Sequence, residues 1–175
     1  ESKEFDKAIH YYERAVSVEP DFADAHYNLG KILKQVGRFS EAEAACRKAL
    51  ELQPNNPEVL NNLANILCKC DRREEAIDAF QAAIRAAPDY RKALTNICNT
   101  YLELGQGHDA LAAADRLLEV KPEDTYGLAF KSCALQILGE QVALERLIDI
   151  PRLLFNKRID HPPEYKSLAD FNTAL

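Results

Sequence analysis

The stretch AHYNLGKILKQVGRFSEAEAACRKALELQP, from Ala25 to Pro54, contains two amphipathic patterns separated by a short turn. Apolar side chains recur at three- and four-residue spacing on both sides of Gly37, as in helices that each turn one face toward a core. Gly37 marks the end of the first helix, because glycine readily adopts the left-handed conformation found after helix C-termini. Pro54 follows the second helix, which proline cannot continue. The stretch therefore predicts a helix–turn–helix unit.

Local signals predict where these helices begin. Asp21 is placed to cap the first helix, and Ser40 with Glu43 matches the S-x-x-E capping box of the second. Asn56 followed by Pro57 predicts the start of a third helix, with a capping side chain and a proline in the first turn.

The unit repeats every 34 residues, as three independent classes of residue show. Their members are Pro20, Pro54, Pro88 and Pro122; Ala8, Ala42, Ala76 and Ala110; and the turn residues Gly37, Asp71, Gly105 and Gly139. A further small set, Gly30, Ala64, Cys98 and Ser132, lies midway along each first helix and predicts close helix approach. This pattern indicates a helical array in which each pair buries its apolar face only against its neighbours.

These motifs resemble the tetratricopeptide repeat, above all the repeats of O-linked N-acetylglucosamine transferases. The resemblance spans about Phe5 to Leu138 and implies an all-α fold, a right-handed superhelix (α-solenoid) of antiparallel helix pairs. Lys131 departs from it, since the family has a large apolar residue there. The expected organisation is a half repeat with only its second helix at 1–22, full repeats at 23–56, 57–90 and 91–124, a degenerate repeat at 125–150, and an extended tail with a short helix at 151–175.

The tail has a different character. Pro151 interrupts the helical pattern, Arg152 to Ile159 has the content of a strand, and Ser167 is placed to cap a short helix. The sequence from Leu147 onward resembles the stretch that joins tetratricopeptide repeats to a 2-oxoglutarate- and iron(II)-dependent oxygenase domain in some bacterial proteins. The chain is therefore expected to be a piece of a longer protein.

Composition argues against several classes of function. The net charge of −6 does not suit a protein that binds nucleic-acid phosphates. No apolar run is long enough to predict a membrane segment or a signal peptide. The five cysteines fit no disulfide framework or zinc pattern, so we expect buried or half-buried reduced thiols and a cytoplasmic location. They are Cys46, Cys68, Cys70, Cys98 and Cys133.

No catalytic or metal site is predicted. The histidines are scattered, and His161 is followed by prolines where the iron triad of the oxygenases would need an acidic residue. We therefore expect no enzyme activity, no cofactor and no metal in this chain.

A set of polar side chains with the 34-residue period is the candidate binding site. The resemblance implies that first helices line the concave face, where asparagine amides could bind a peptide backbone. The alternative is that these asparagines bond neighbouring helices. The set comprises Asn28, Lys31, Asn62, Asn65, Lys92, Asn96 and Asn99. Lys31, Asn62 and Lys92 also form part of a carboxylate clamp, which the acidic residues on the same strip disfavour.

Tyr126 and Phe130 replace polar residues on the concave side of the last repeat. Such a pair predicts either a contact with a partner or packing by the chain's own tail.

The leading functional hypothesis is a scaffold that binds a protein or peptide on the concave face. The first alternative is a substrate-recruiting arm of an oxygenase or glycosyltransferase whose catalytic domain is not in this chain. The second is a self-assembly module that associates through the open N-terminal end.

Overall fold

The structure, a computed structural model, describes residues 2–147. The predictions for the tail, including its strand, its short helix and its likeness to an oxygenase linker, lie outside these residues. The described part is helical throughout and contains no strand, which confirms the all-α class. Its helices are α1 (Ser2–Val18), α2 (Ala23–Gln35), α3 (Phe39–Leu52), α4 (Pro57–Lys69), α5 (Arg73–Ala86), α6 (Arg91–Glu103), α7 (Gly107–Val120), α8 (Thr125–Leu138) and α9 (Gln141–Leu147).

Successive helices pack as pairs, and the pairs stack in chain order. Each helix contacts the next one, and the strongest packing is within the pairs α2–α3 and α4–α5. The first helices α2, α4, α6 and α8 also contact one another in that order. They therefore form one continuous face of the solenoid, which we call the inner face.

Small residues allow the helices of a pair to approach closely. A Cβ atom added to Gly30 in α2 would lie 2.7 Å from the Sγ of Cys46 in α3 and 3.2 Å from the carbonyl oxygen of Ala42. Such distances are shorter than van der Waals contact, so only glycine fits here without a shift of α3. The related small residues are all fully buried: Ala42, Ala64, Ala76, Cys98 and Ala110.

The predicted start of α4 is confirmed. The Oδ1 of Asn56 accepts hydrogen bonds from the backbone N–H groups of Glu58 at 3.1 Å and Val59 at 3.2 Å, and Pro57 is the first helical residue. Asparagine thereby satisfies two donors that the helix itself leaves unpaired.

The predicted caps of the two preceding helices are wrong. Asp21 lies one residue before the N-cap position of α2, and no side chain caps that helix. Ser40 is already the second residue of α3, so its hydroxyl lies past the capping position. The N-cap residue of α3 is Arg38, whose Nε donates to the Oε1 of Glu41 at 2.7 Å. An ion pair across the first turn therefore replaces the capping box.

Helix α8, the first helix of the last pair, departs from the apolar pattern of α2, α4 and α6. Leu29, Leu63 and Ile97 are buried at one equivalent position, but Lys131 occupies it in α8. The ammonium group of Lys131 lies 2.5 Å from the Oδ1 of Asp115 in α7. A partly exposed ion pair therefore stands where the other repeats bury a hydrocarbon side chain.

The turns between paired helices use the left-handed backbone conformation. Gly37, Gly105 and Gly139 have φ of +82°, +69° and +70°, as their position after a helix predicts. Asp71 occupies the equivalent turn with φ of +61°. A side chain in this conformation costs about 1–2 kcal/mol relative to the right-handed region.

Replacing this strained residue should stabilise the protein. We expect Asp71→Gly to raise the free energy of unfolding by up to about 1 kcal/mol, since the relief of strain exceeds the added freedom of the unfolded chain. The exposed ion pair of Asp71 with Arg73 offsets little of this gain. Urea denaturation measures the difference.

Gly105→Ala is the matched control. A Cβ atom there meets nothing within 4 Å, so the substitution adds only backbone strain and should lower the free energy of unfolding by about 1 kcal/mol. A change of the same sign in both variants would contradict the strain argument.

Candidate functional site

A groove of about 500 Å³ lies on the inner face between α2, α4 and α6. Its walls combine polar side chains with the side chains of Phe39, Cys68 and Phe80. The polar residues that line it are Lys34, Asn65, Lys69, Asn96, Asn99, Thr100 and Glu103. Three of the predicted site residues, Asn65, Asn96 and Asn99, thus lie together in one groove.

Asn62 has a different environment, because its side chain is only 4% exposed. Its Oδ1 accepts a hydrogen bond from the Nζ of Lys34 at 2.6 Å, and its Nδ2 donates to the Sγ of Cys46 at 3.3 Å. Both ends of the amide are therefore occupied by α2 and α3. Asn62 therefore bonds neighbouring helices, which is the alternative stated for the periodic asparagines.

Lys34 and Asn61 were not predicted as site residues. Asn61 is buried, and its Oδ1 accepts from the Nδ2 of Asn96 at 2.9 Å, which joins α4 to α6. Burial lowers the pKa of Lys34, and the nearby charges of Lys31 and Lys69 lower it further. In the sequence, only the position of Asn61 next to Asn62 pointed to the hydrogen bond between Asn61 and Asn96.

The remaining predicted polar residues lie around the groove. Asn28 is half-buried on α2, whereas Lys31 and Lys92 are exposed. The Lys31 ammonium lies 5.3 Å from the centre of the Tyr27 ring, within the range of a cation–π contact. None of these three is among the groove-lining side chains.

Three amide oxygens in the groove remain available to a ligand. Asn65 donates its Nδ2 to the backbone oxygen of Asn61 at 2.8 Å, and Asn99 donates its own to Glu103 at 2.7 Å. The Oδ1 atoms of Asn65, Asn96 and Asn99 accept no hydrogen bond from residues 2–147. No buried side-chain polar atom in this part of the chain lacks a partner, so these oxygens are open to solvent. They can accept hydrogen bonds from the N–H groups of a bound chain.

The predicted aromatic pair lies on α8. Tyr126 is 62% exposed, and its ring centre is 6.4 Å from that of the half-buried Phe130. The start of α8 is held by Asp124, whose Oδ1 accepts from the backbone N–H groups of Tyr126 and Gly127, each at 3.0 Å. The carboxylate also pairs with Arg91 of α6, so this helix is fixed to the preceding repeat.

Metal and thiol chemistry find no support in the described residues. They contain no group of three or more histidine, cysteine or acidic side chains that could hold a metal ion. Burial raises the pKa of Cys46 to about 11 and that of Cys98 to about 12, so both are protonated at neutral pH. Cys133 is exposed, contrary to the expectation of buried or half-buried thiols. None of the helices in the described part is both long and apolar enough to cross a bilayer.

Comparison with known proteins identifies the repeat. The tetratricopeptide repeat family model matches residues 1–66, 33–89 and 71–132. The chain belongs to the tetratricopeptide repeat family. No curated protein matches the sequence.

Solved structures show the same solenoid. A crystal structure of MamA has a TM-score of 0.79 at 21% identity, over 91% of this chain and 94% of that one. A tetratricopeptide repeat protein from Parabacteroides merdae ATCC 43184 has a TM-score of 0.77 at 20% identity, over 90% of this chain and 62% of that one. At such identities the likeness concerns the fold alone.

The attachment of α8 should depend on the charge of Asp124. The backbone N–H of Gly127 donates to this carboxyl and, together with Arg91, holds its pKa below the usual range. A lowered folded-state pKa gives stability above about pH 4 that is lost as the pH falls. We expect Asp124→Asn to be less stable than the wild type by about 1 kcal/mol at pH 7, with the difference shrinking below pH ~4.

Thermal or urea denaturation across this pH range, followed by circular dichroism, measures the difference. Glu123→Gln removes the neighbouring exposed carboxylate and serves as the control. A difference between Asp124→Asn and the wild type that does not vary with pH would argue against the role of the charge.

Proposed function

We propose that this protein is an interaction scaffold whose inner-face groove binds an extended segment of a partner protein. The observation that carries the proposal is the set of solvent-open amide oxygens of Asn65, Asn96 and Asn99 within one groove of about 500 Å³. Backbone N–H groups of an extended chain are the donors that such acceptors suit, because every residue except proline supplies one.

The repeat spacing supports this assignment. Asn65 and Asn99 occupy equivalent positions of α4 and α6, and packed helices lie about 8–10 Å apart. An extended peptide advances by about 3.3 Å per residue, so three residues span the distance from one helix to the next. Recognition through the backbone would tolerate many side chains. Asn62 takes no part, since its amide is already bonded on both sides.

The recruiting-arm alternative uses the same groove for a different purpose. In it, the bound segment would belong to a substrate of an oxygenase or glycosyltransferase. That alternative rests on the likeness of the repeats to those of O-linked N-acetylglucosamine transferases and on the sequence beyond Leu147, and both stay predictions.

Peptide selection tests the proposal. Peptides selected from a random 12-residue display library against the immobilised chain should bind the double variant Asn65→Ala/Asn99→Ala more weakly. Each lost hydrogen bond should cost about 0.5–1.5 kcal/mol, and isothermal titration measures the change. Helical circular dichroism should stay unchanged, because neither side chain belongs to the core.

Two controls separate the groove from general effects. Asn55→Ala changes an exposed asparagine in the loop between α3 and α4 and should not alter peptide affinity. Asn62→Ala should lower stability through the loss of the contacts with Lys34 and Cys46. Failure to select any peptide, or equal affinity of the wild type and the groove double variant, would overturn the proposal.

Self-association is a second candidate function, favoured by one feature of α1. Ala8, Tyr12 and Ala15 are half-buried, whereas their equivalents in α3, α5 and α7 are fully buried. Those equivalents are Ala42, Cys46 and Ala49; Ala76, Phe80 and Ala83; and Ala110, Ala114 and Leu117. The α1 face thus exposes apolar surface that is covered at the equivalent positions of α3, α5 and α7, and a second copy of the chain could cover it here.

Sedimentation equilibrium tests this second candidate. We expect concentration-dependent dimers that are lost in Ala15→Glu, because the new charge would have to be buried in the contact. Arg14→Glu changes the charge of an exposed neighbour and should leave the dimers intact. A chain that stays monomeric at every concentration would remove self-association from consideration.

A further inference from the structure

Helix α8 carries an apolar stripe of which only one member, the half-buried Phe130, packs against the core of the solenoid. Tyr126, Phe130, Cys133 and Ile137 are spaced by four, three and four residues, which places them on one face of the helix. Tyr126 is 62% and Ile137 46% exposed, and Cys133 is exposed as well. We call these four residues the α8 stripe.

The same positions are polar in every preceding repeat. Moving back by one, two and three periods of 34 residues gives the groups Lys92, Asn96, Asn99 and Glu103; Glu58, Asn62, Asn65 and Lys69; and Asp24, Asn28, Lys31 and Gln35. The stripe is therefore not a requirement of repeat packing. Apart from Phe130, it also lies away from the side of α8 that faces the core, where Gly127, Ala134 and Leu135 are buried. A helix that is apolar on two sides needs a cover on both.

The chain has further apolar residues shortly after α8 in sequence, and these could cover the stripe. Leu147 is the last residue of α9 that the structure describes. Pro151 follows within four residues and cannot continue a helix. The segment 152–159, with sequence RLLFNKRI, then brings four large apolar side chains in eight residues.

The segment is long enough for the stripe. From Tyr126 to Ile137 the stripe extends along about 16 Å of helix axis, at 1.5 Å per residue. Eight residues in extended conformation reach up to about 27 Å. The segment starts 14 residues after Leu138, the last residue of α8, so its effective concentration at the stripe is about millimolar.

A second copy is a poorer occupant. Stable protein–protein interfaces bury about 800 Å² on each partner. A stripe of four side chains, of which only Tyr126 and Phe130 are aromatic, offers a few hundred Å². A segment of the same chain needs less contact area, because its covalent link to α8 already limits the translational and rotational freedom that a separate molecule would lose on binding.

We propose that residues 152–159 pack against the α8 stripe and cover the inner face of the last repeat. The stripe lies on α8, next to α6, so a partner peptide that extended from the groove onto α8 would meet the chain's own segment there. This contact is independent of whether the groove binds a peptide.

The exposed thiol of Cys133 provides the test, because it lies within the stripe. Full-length chain is alkylated with iodoacetamide, and the rate at each cysteine is followed by mass spectrometry. The buried Cys46 and Cys98 should stay unreactive in every variant, which verifies that the repeats remain folded. If the segment covers the stripe in nine molecules out of ten, uncovering it speeds alkylation of Cys133 about tenfold.

We expect this acceleration in Leu153→Asp and in Phe155→Asp, since a carboxylate would not pack on the stripe. Asn172→Asp adds the same charge beyond the segment and should react like the wild type. Wild-type protection should also be the same at low and high protein concentration.

Equal rates at Cys133 in the wild type and both segment variants would overturn the proposal. So would protection that appears only as the protein concentration rises, because the cover would then be a second copy of the chain.

Discussion

The close contact between paired helices is the constraint on which the rest of the solenoid depends. At Gly30, a single added carbon would lie 2.7 Å from the sulfur of Cys46, so α2 and α3 pack almost backbone to backbone. Alanines repeat this approach in later pairs, where Ala76 and Ala110 are fully buried. Because each pair is thin, it buries its apolar surface only against the pairs beside it. One face of every first helix is thereby left over for polar side chains.

Those polar side chains have two environments, bonded within the solenoid or open to solvent, that the 34-residue period does not separate. Asn62 and Asn96 occupy equivalent positions, yet Asn62 is bonded at both ends whereas the Oδ1 of Asn96 remains open. The difference arises from the neighbouring helix, since Lys34 reaches the Oδ1 of Asn62 from α2. Ties between repeats and acceptors for a ligand are thus built from the same residue type on the same face. The effect of a substitution at one of these asparagines must therefore be interpreted for each position separately.

The periodic features of this fold were predictable from sequence, and the aperiodic ones were not. Prolines, small residues and turn glycines at a fixed spacing predicted the helices and their pairing, because each depends on residues within one unit. The caps expected at Asp21 and Ser40 were wrong, since a shift of one residue at a helix start is below what local patterns resolve. The contacts of Lys34 and Asn61 depend on side-chain reach between units. Only the folded arrangement reveals them.

The ion pair of Lys131 with Asp115 affects how the array responds to force. In a linear array, the stability of each unit comes from its own packing and from the interfaces with its neighbours. Lys131 replaces the buried leucine or isoleucine of the earlier repeats, so α8 buries less hydrocarbon at this position than the first helices before it. The pair α8–α9 is therefore expected to be the least stable of the described pairs. A pull on the C-terminal end would detach α8 and α9 first and leave the groove between α2 and α6 intact, so tension on the molecule would not disrupt the proposed binding groove.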